Sequence, residues 1–281
     1  MHARTTRRRN LWIAGFTAAA LAGAALSPAA GLAVGALAAL VLLGNAMRPS
    51  SDFYLRSLRR GPAASRGVAL TFDDGPDPER TPQVLAALRE SGARATFFMI
   101  GRRVCVSPEI VRQVIDAGHE IGGHSHTHDR TLPFRHRARQ CEEIRACMDA
   151  LANAGAPAAR WYRMPMGFAT PWIAEALAET SLCSVNWSVH ARDLTAESEN
   201  RIVDRVLSRV RGGDIVLLHD GSDRRGPGPA ALPGAVRRIV RGLRERGLAP
   251  MTLTELMASA PAIVVPERTA DVRLDRCGGA G

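Results

Sequence analysis

Residues 1–66 and 67–281 carry different patterns of apolar and polar positions. From Leu11 to Met47 no position is charged, and Ala, Leu, Gly and Val dominate. A bilayer core takes about 20 apolar residues as one helix, so this run is too long for one span and close to two. Pro28, directly after Ser27, breaks it in the middle, because its ring and missing N–H disrupt a helix. Residues 11–47 therefore read as a transmembrane segment, a helical hairpin broken near Pro28. A basic arm (1–10) precedes it and a juxtamembrane connector (48–66) follows. The competing reading is a cleaved signal peptide. Its apolar core would span about 7–15 residues, and the length of this run favours a retained anchor.

After Gly67 short apolar runs alternate with helical periodicity. Strands are expected at 68–72, 96–100, 120–123, 161–164, 182–187, 215–219 and 249–253. Helices are expected near 81–91, 108–117, 136–154, 171–180, 197–211 and 229–246. Strands alternating with helices predict an α/β domain over 67–259, with a parallel sheet closed or nearly closed into a barrel. The tail 260–281, ending Cys277-Gly-Gly-Ala-Gly, shows no periodicity and reads as flexible.

Charge changes this picture in one respect. The chain has 37 basic and 27 acidic residues, a net +10, and every basic residue is Arg. Residues 1–66 hold nine Arg against one acid, Asp52, which leaves only +2 on 67–281. A nucleic-acid binder would carry its basic excess on the folded domain beside stacking aromatics; aromatics are 5% here, and no nucleic-acid partner is expected. Arg4, Arg7, Arg8 and Arg9 precede the apolar run, and Arg48, Arg56, Arg59 and Arg60 follow it. Basic flanks prefer the cytoplasmic side. A hairpin obeys this at both ends and places the domain on the cytoplasmic face of a bacterial plasma membrane, whereas a single tilted span would place it outside. Five cysteines (105, 141, 147, 183 and 277) without CxxC spacing suggest no disulfide framework and no zinc ribbon, and buried, reduced thiols are expected.

In parallel barrels catalytic groups gather at the C-terminal ends of strands, and those positions are chemically rich here. The first strand ends in Thr71-Phe72-Asp73-Asp74-Gly75-Pro76. Adjacent carboxylates in an extended chain point apart and can take different roles, although Asp, Gly and Pro also build plain turns. After the third strand comes His124-Ser125-His126-Thr127-His128-Asp129, a density of imidazoles typical of metal ligation. Two imidazoles and a carboxylate suit zinc with an open position, and equally the facial triad of non-haem iron. Arg163 follows the fourth strand, Asp193 the fifth, and His219 ends the sixth.

On TFDDGP at 71–76 and His124-Ser125-x-x-His128, the chain resembles the NodB-homology polysaccharide deacetylases, carbohydrate esterase family four, over roughly 67–259. The resemblance implies a distorted seven-stranded (β/α) barrel, here with an N-terminal transmembrane helical segment. It also implies a metal-dependent hydrolase that removes an N-linked acetyl or similar small acyl group from an amino sugar. Asp74, His124 and His128 would hold a divalent metal, by family habit Zn2+, and Asp73 would be the general base. Arg163 would orient and electrostatically tune Asp73. His219 would be the general acid, with Asp193 as its orienting partner.

The chain departs from the family pattern at three places. Met166 stands where the third motif carries an aromatic. The fourth motif becomes His190-Ala191-Arg192-Asp193-Leu194, without its Trp. His126 is an extra imidazole, read as lying behind the ligands or at the surface. With few aromatics available for stacking sugars, a short or lipid-linked amino sugar at the bilayer is expected over a long polymer. A non-haem iron oxygenase and a glycan-binding protein that has lost catalysis are the other classes.

Overall fold

The computed structural model describes residues 2–196, 198–222 and 228–259; the expected tail 260–281 lies outside them. In chain order the elements are α1 (His2–Leu26), α2 (Pro28–Ala46), β1 (Gly67–Gly75), α3 (Arg80–Glu90), β2 (Thr96–Met99), α4 (Gly101–Val106), α5 (Pro108–Asp116) and β3 (Glu120–Gly123). They continue with α6 (Arg137–Asn153), β4 (Trp161–Tyr162), α7 (Pro171–Ala178), β5 (Cys183–Ser184), β6 (Val189–His190), α8 (Glu199–Leu207), β7 (Ile215–His219), α9 (Leu232–Glu245), β8 (Ala249–Met251) and α10 (Leu253–Ala258). The six-residue helices α4 and α10 were not expected, being too short to show a periodic face. α10 is set by a capping box between Thr252 and Glu255.

All strand pairings among the described residues are parallel, in the order β5-β4-β3-β2-β1-β7-β6, with β8 on the start of β1. The fifth expected strand, 182–187, is where the structure differs. Within it only Cys183–Ser184 pairs as a strand, β5 on β4, and the unexpected β6 begins two residues past its end and pairs with β7. One stretch thus supplies both edges of the sheet, and residues 185–188 join them. Val185 N donates to Tyr162 O (2.9 Å) on one side, and Ser188 N to Ile215 O (3.0 Å) on the other. Counted once, that stretch restores the seven strand positions of a distorted barrel.

The split has a backbone cause. Leu58 N donates to Ser184 O (2.8 Å) and Asn186 N to Leu58 O (2.7 Å), while Gly61 N donates to Gly213 O (2.7 Å). Residues of the expected connector therefore occupy the polar groups that a continuous strand would offer its neighbour. Segment 48–66 is thus part of the wall.

β1 alternates as the sequence requires. Val68, Leu70 and Phe72 pack outward against the helices with Val84, Leu88, Ile202, Val206, Ile239 and Leu243. Phe72 stacks on Phe97 with ring centroids 5.0 Å apart. Ala69 faces inward with Phe98, Trp161, Val185 and Ile215, above Leu253 and Leu256. Each fully buried side chain of this size contributes about 1.5–3 kcal/mol. The same alternation turns Thr71 and Asp73 inward.

At the N-terminus the helix breaks where Pro28 predicts. Ser27 caps α2, its Oγ accepting from Ala30 N at 3.1 Å. α1 and α2 pack closely enough that a Cβ on Gly31 would lie 2.8 Å from that of Ala24. α2 is long and apolar enough to cross a membrane, whereas Ala14–Ala25 is a shorter apolar stretch; a signal sequence near an N-terminus passes the same test. The four described cysteines are free, yet only Cys147 is buried. Cys105 lies on the exposed side of α4 and Cys183 opens an edge strand, which corrects the expectation of uniformly buried thiols.

Candidate active site

Asp73 and Asp74 leave β1 in different directions. Asp73 continues the inward alternation, and its Oδ1 accepts from Arg163 Nη1 at 2.5 Å. Arg163 is fully buried. Its guanidinium also donates to Thr71 Oγ1 (2.9 Å) and to the carbonyls of Val185 (3.3 Å) and Asn186 (3.2 Å), and lies 4.1 Å over the Phe98 ring. Alone in the sequence Arg163 could be a surface charge; in the fold it is the floor of the site. Asp74 adopts φ 69°, which swings its carboxylate away from that of Asp73. The next residue must be Gly75, because a Cβ there would collide with the Asp220 carboxylate.

The end of β3 supplies the imidazoles. His124 Nδ1 faces the carbonyl of Arg163 at 2.8 Å. A carbonyl only accepts, so Nδ1 carries a proton and Nε2 is the nitrogen turned to the carboxylates. That Nε2 lies 3.5 Å from Asp74 Oδ1 and 3.7 Å from Asp73 Oδ2. His128 reaches the same oxygen, its Nε2 3.2 Å from Asp74 Oδ1. Its left-handed backbone (φ 57°) is secured by donation from its N–H to Ser125 Oγ at 2.9 Å. The buried Glu143 holds the preceding turn, accepting from His126 N, Thr127 N and Thr127 Oγ1 at 2.8–2.9 Å.

The ligand atoms of Asp74, His124 and His128 all lie within 4.8 Å of one another. Asp74 Oδ1 is buried with no hydrogen-bond partner. Burial alone would push the Asp74 carboxyl up, but His124, His128 and His219 outweigh it and hold it well below the usual range. Burial opposes the charging of His124, and Asp73 and Asp74 overcome it. A buried carboxylate oxygen between two convergent Nε2 atoms is a donor set that fits a divalent cation.

The third group stands at β7, where His219 is the register partner of Asp73. Asp193 grips it twice, Oδ1 on Nδ1 at 2.9 Å and Oδ2 on the backbone N–H at 2.7 Å. Burial disfavours the imidazolium, but Asp193, with Asp74 and Asp73 behind it, drives the His219 pKa up to about 9. A charged imidazole beside an inward carboxylate is acid–base apparatus.

The polysaccharide deacetylase family profile matches residues 60–183. A chitooligosaccharide deacetylase of Sinorhizobium fredii is 36% identical over 168 residues, 60% of this chain and 78% of that protein. A peptidoglycan-N-acetylglucosamine deacetylase of Bacillus cereus is 37% identical over 198 residues, 68% of this chain and 87% of that protein. The chain belongs to the polysaccharide deacetylase family. Among solved structures, the Bc1960 peptidoglycan N-acetylglucosamine deacetylase superposes with a TM-score of 0.68 at 28% identity, covering 73% of this chain and 94% of its own. The resemblance read from TFDDGP and HSxxH is borne out, and so is the barrel.

This polysaccharide deacetylase family member brings all seven expected site residues to the C-terminal ends of its strands, Asp193 through the turn after β6. His126 stays outside the ligand cluster, its ring against Gly101. The non-glycine residues with positive φ among the described ones are Asp74, Ser125, His128, Met166 and Arg192. Every one is, or lies within a few residues of, an expected site residue, so backbone strain is concentrated where side chains are held off the regular lattice.

Other residues of the site escaped sequence reading. His190 stands in the altered fourth motif, its ring 6.1 Å from that of His219 and edge-on to Trp187 at 5.7 Å. Its Nδ1 accepts from Arg192 N at 2.9 Å. Burial, then the His219 charge, pushes its pKa down, which leaves a neutral ring with an Nε2–H donor. Trp187 packs within 2.8 Å of where a Gly167 Cβ would lie, so an aromatic from the β5–β6 seam lines the site although the motif's own Trp is replaced by Leu194. Asp220 is buried beside Gly75, accepting from Thr81 Oγ1 at 2.5 Å. For this residue a signal was available: it directly follows His219 at a strand end.

Proposed function

We propose that this chain is a metal-dependent N-deacetylase of amino sugars, with 67–259 as the catalytic domain and α1–α2 as its membrane anchor. The carrying observation is the buried, unpartnered Asp74 Oδ1 between His124 Nε2 and His128 Nε2. These three residues would hold a divalent cation; the nitrogen and oxygen donors suit zinc. When bound, the cation supplies a Lewis acid that polarises the acyl oxygen and lowers the pKa of water.

The protein's own groups perform the rest. Asp73, fixed by Arg163, accepts a proton from the attacking water. A backbone N–H near Met166 donates to the oxygen that gains charge as the tetrahedral centre forms. His219, kept protonated by Asp193, gives its proton to the departing nitrogen, so that amine and carboxylate leave. Asp73 with Arg163 and His219 with Asp193 form a base and an acid for which oxygenase chemistry has no use, and they favour hydrolysis.

The test is acetate release by the purified, zinc-loaded protein from N-acetylchitotetraose and from a lipid-linked N-acetylglucosamine. Chelation should abolish release and zinc should restore it. Stoichiometric zinc with no release from either substrate overturns the proposal.

A further inference from the structure

Large exposed apolar side chains are unevenly distributed. Outside residues 2–47, those among the described residues are Val106, Phe134, Met166, Trp172 and Leu194. All but Val106 lie in segments that leave the C-terminal ends of β3, β4 and β6, the end of the sheet that carries the site. Phe134 closes the turn after the His124–His128 loop, Met166 lies in the turn after β4, Trp172 opens α7, and Leu194 follows Asp193. Thr170 Oγ1 donates to Pro133 O at 2.6 Å, which ties the Phe134 turn to the start of α7. Scattered single apolar residues are normal on a soluble surface, but a set gathered on one face marks a contact.

The end of the apolar helix reaches the same face. Ala169 N donates to Ala46 O (2.9 Å), and Asn186 Nδ2 donates to Pro49 O (2.7 Å). A Cβ on Gly167 would lie 3.0 Å from Pro49 Cβ. Pro49 therefore touches the turn that carries Met166, and the exposed Met47 continues α2 toward that rim. A bilayer that holds α2 must have its surface near Ala46 to Pro49, hence at the mouth and not at the opposite end of the barrel. Arg48 and Arg192 are exposed beside Met47 and Leu194, and such charges suit anionic headgroups while the Trp and Phe rings suit the interface.

We infer that the mouth of the site lies against the bilayer surface, with the rim of Phe134, Met166, Trp172 and Leu194 dipping into the headgroup layer. The substrate is then a membrane-borne glycolipid with an N-acylated amino sugar as its head. The inference rests on the deacetylase reading and assigns the source from which the sugar enters.

The test uses the full chain, zinc-loaded and reconstituted in phosphatidylglycerol–phosphatidylcholine vesicles. Acetate release is compared for N-acetylglucosamine on a long isoprenoid tail and for the same head on a butyl group. Confinement to one surface should raise kcat/KM for the glycolipid by about 10²-fold. The Phe134→Ser/Trp172→Ser variant should lose most of that preference and retain its rate on the butyl glycoside. Equal turnover of both substrates by the wild type overturns the inference, and so does a preference that survives in the variant. No release from either overturns the deacetylase reading itself. Should the variant lose both activities, quenching of Trp172 by brominated lipid decides, read as wild type minus Trp172→Phe: quenching supports the inference and its absence overturns it.

Discussion

The ends of β3 and β7 each bring an imidazole to Asp73 and Asp74, and what lies behind each ring separates their chemistry. Behind His124 is a carbonyl, that of Arg163. It fixes the tautomer without adding charge, which suits a ligand. Behind His219 is the Asp193 carboxylate, which stabilises the imidazolium and makes an acid. In the proposed mechanism the same residue type takes two roles, each set by one neighbour.

The largest expected effects break the ligand side. Asp74→Ala or His128→Ala should lose the metal and with it all activity, as read by zinc content and acetate release in the same sample. Asp73→Asn should instead keep its zinc and lose about 10²–10⁴ in kcat. If Asp73→Asn also loses its zinc, the two carboxylates do not have the separate roles that their directions indicate.

Next comes the β7 side. In metal-free protein the His219 ring should titrate near 9, followed by its ring-proton NMR shifts. Asp193→Asn should move that titration toward the ordinary value of about 6.5. A general acid works while protonated, so the alkaline fall in kcat/KM should come at lower pH in Asp193→Asn than in the wild type. An unmoved titration would break the contrast between the two imidazoles.

A smaller effect tests the floor that both sides share. Arg163→Met leaves Asp73 buried without its cation, and removing one partner of a buried pair costs about 3–5 kcal/mol. Chemical denaturation should show this loss, and Asp73→Asn/Arg163→Met should recover part of it. Equal loss in the single and double variants would mean that Arg163 matters for packing over Phe98 and not for Asp73.

The sequence made one side of this contrast more readable than the other. Asp73 with Asp74, and His124 with His128, are dense local blocks at strand ends, so both position and chemistry were visible. Supporting neighbours come from distant segments with no local pattern: Glu143 from mid-α6, and a main-chain carbonyl at Arg163 that no residue type could announce. Leu182 to Trp187 read as one strand because Cys183, Val185 and Trp187 recur at every second position. It stops at Ser184, where Leu58 claims the backbone groups of Ser184 and Asn186. Trp187 is one of the domain's few aromatics, and its place over Gly167 and beside His190 follows from that seam.

Asp220 sharpens the comparison at the β7 end with the smallest effect. Like Asp193 it is a buried carboxylate close to His219 in sequence or space, but its hydrogen-bond partner is the Thr81 hydroxyl rather than an imidazole. Burial pushes its pKa up to about 7, Thr81 pulls against this, and the charges of Asp74 and Asp73 add to the rise. An unfolded Asp titrates near 3.9. The folded state therefore holds a proton that the unfolded chain has released, so the stability this group contributes is full below about pH 4 and is lost as pH rises through about 7. Asp220→Asn cannot titrate. Between pH 5 and 8 in chelator, the wild type should lose more Tm than Asp220→Asn, with the difference levelling off above the folded pKa. Parallel Tm curves would mean that Asp220 stays charged in the fold, and that its carboxylate then adds to the negative charge facing Asp73 and Asp74.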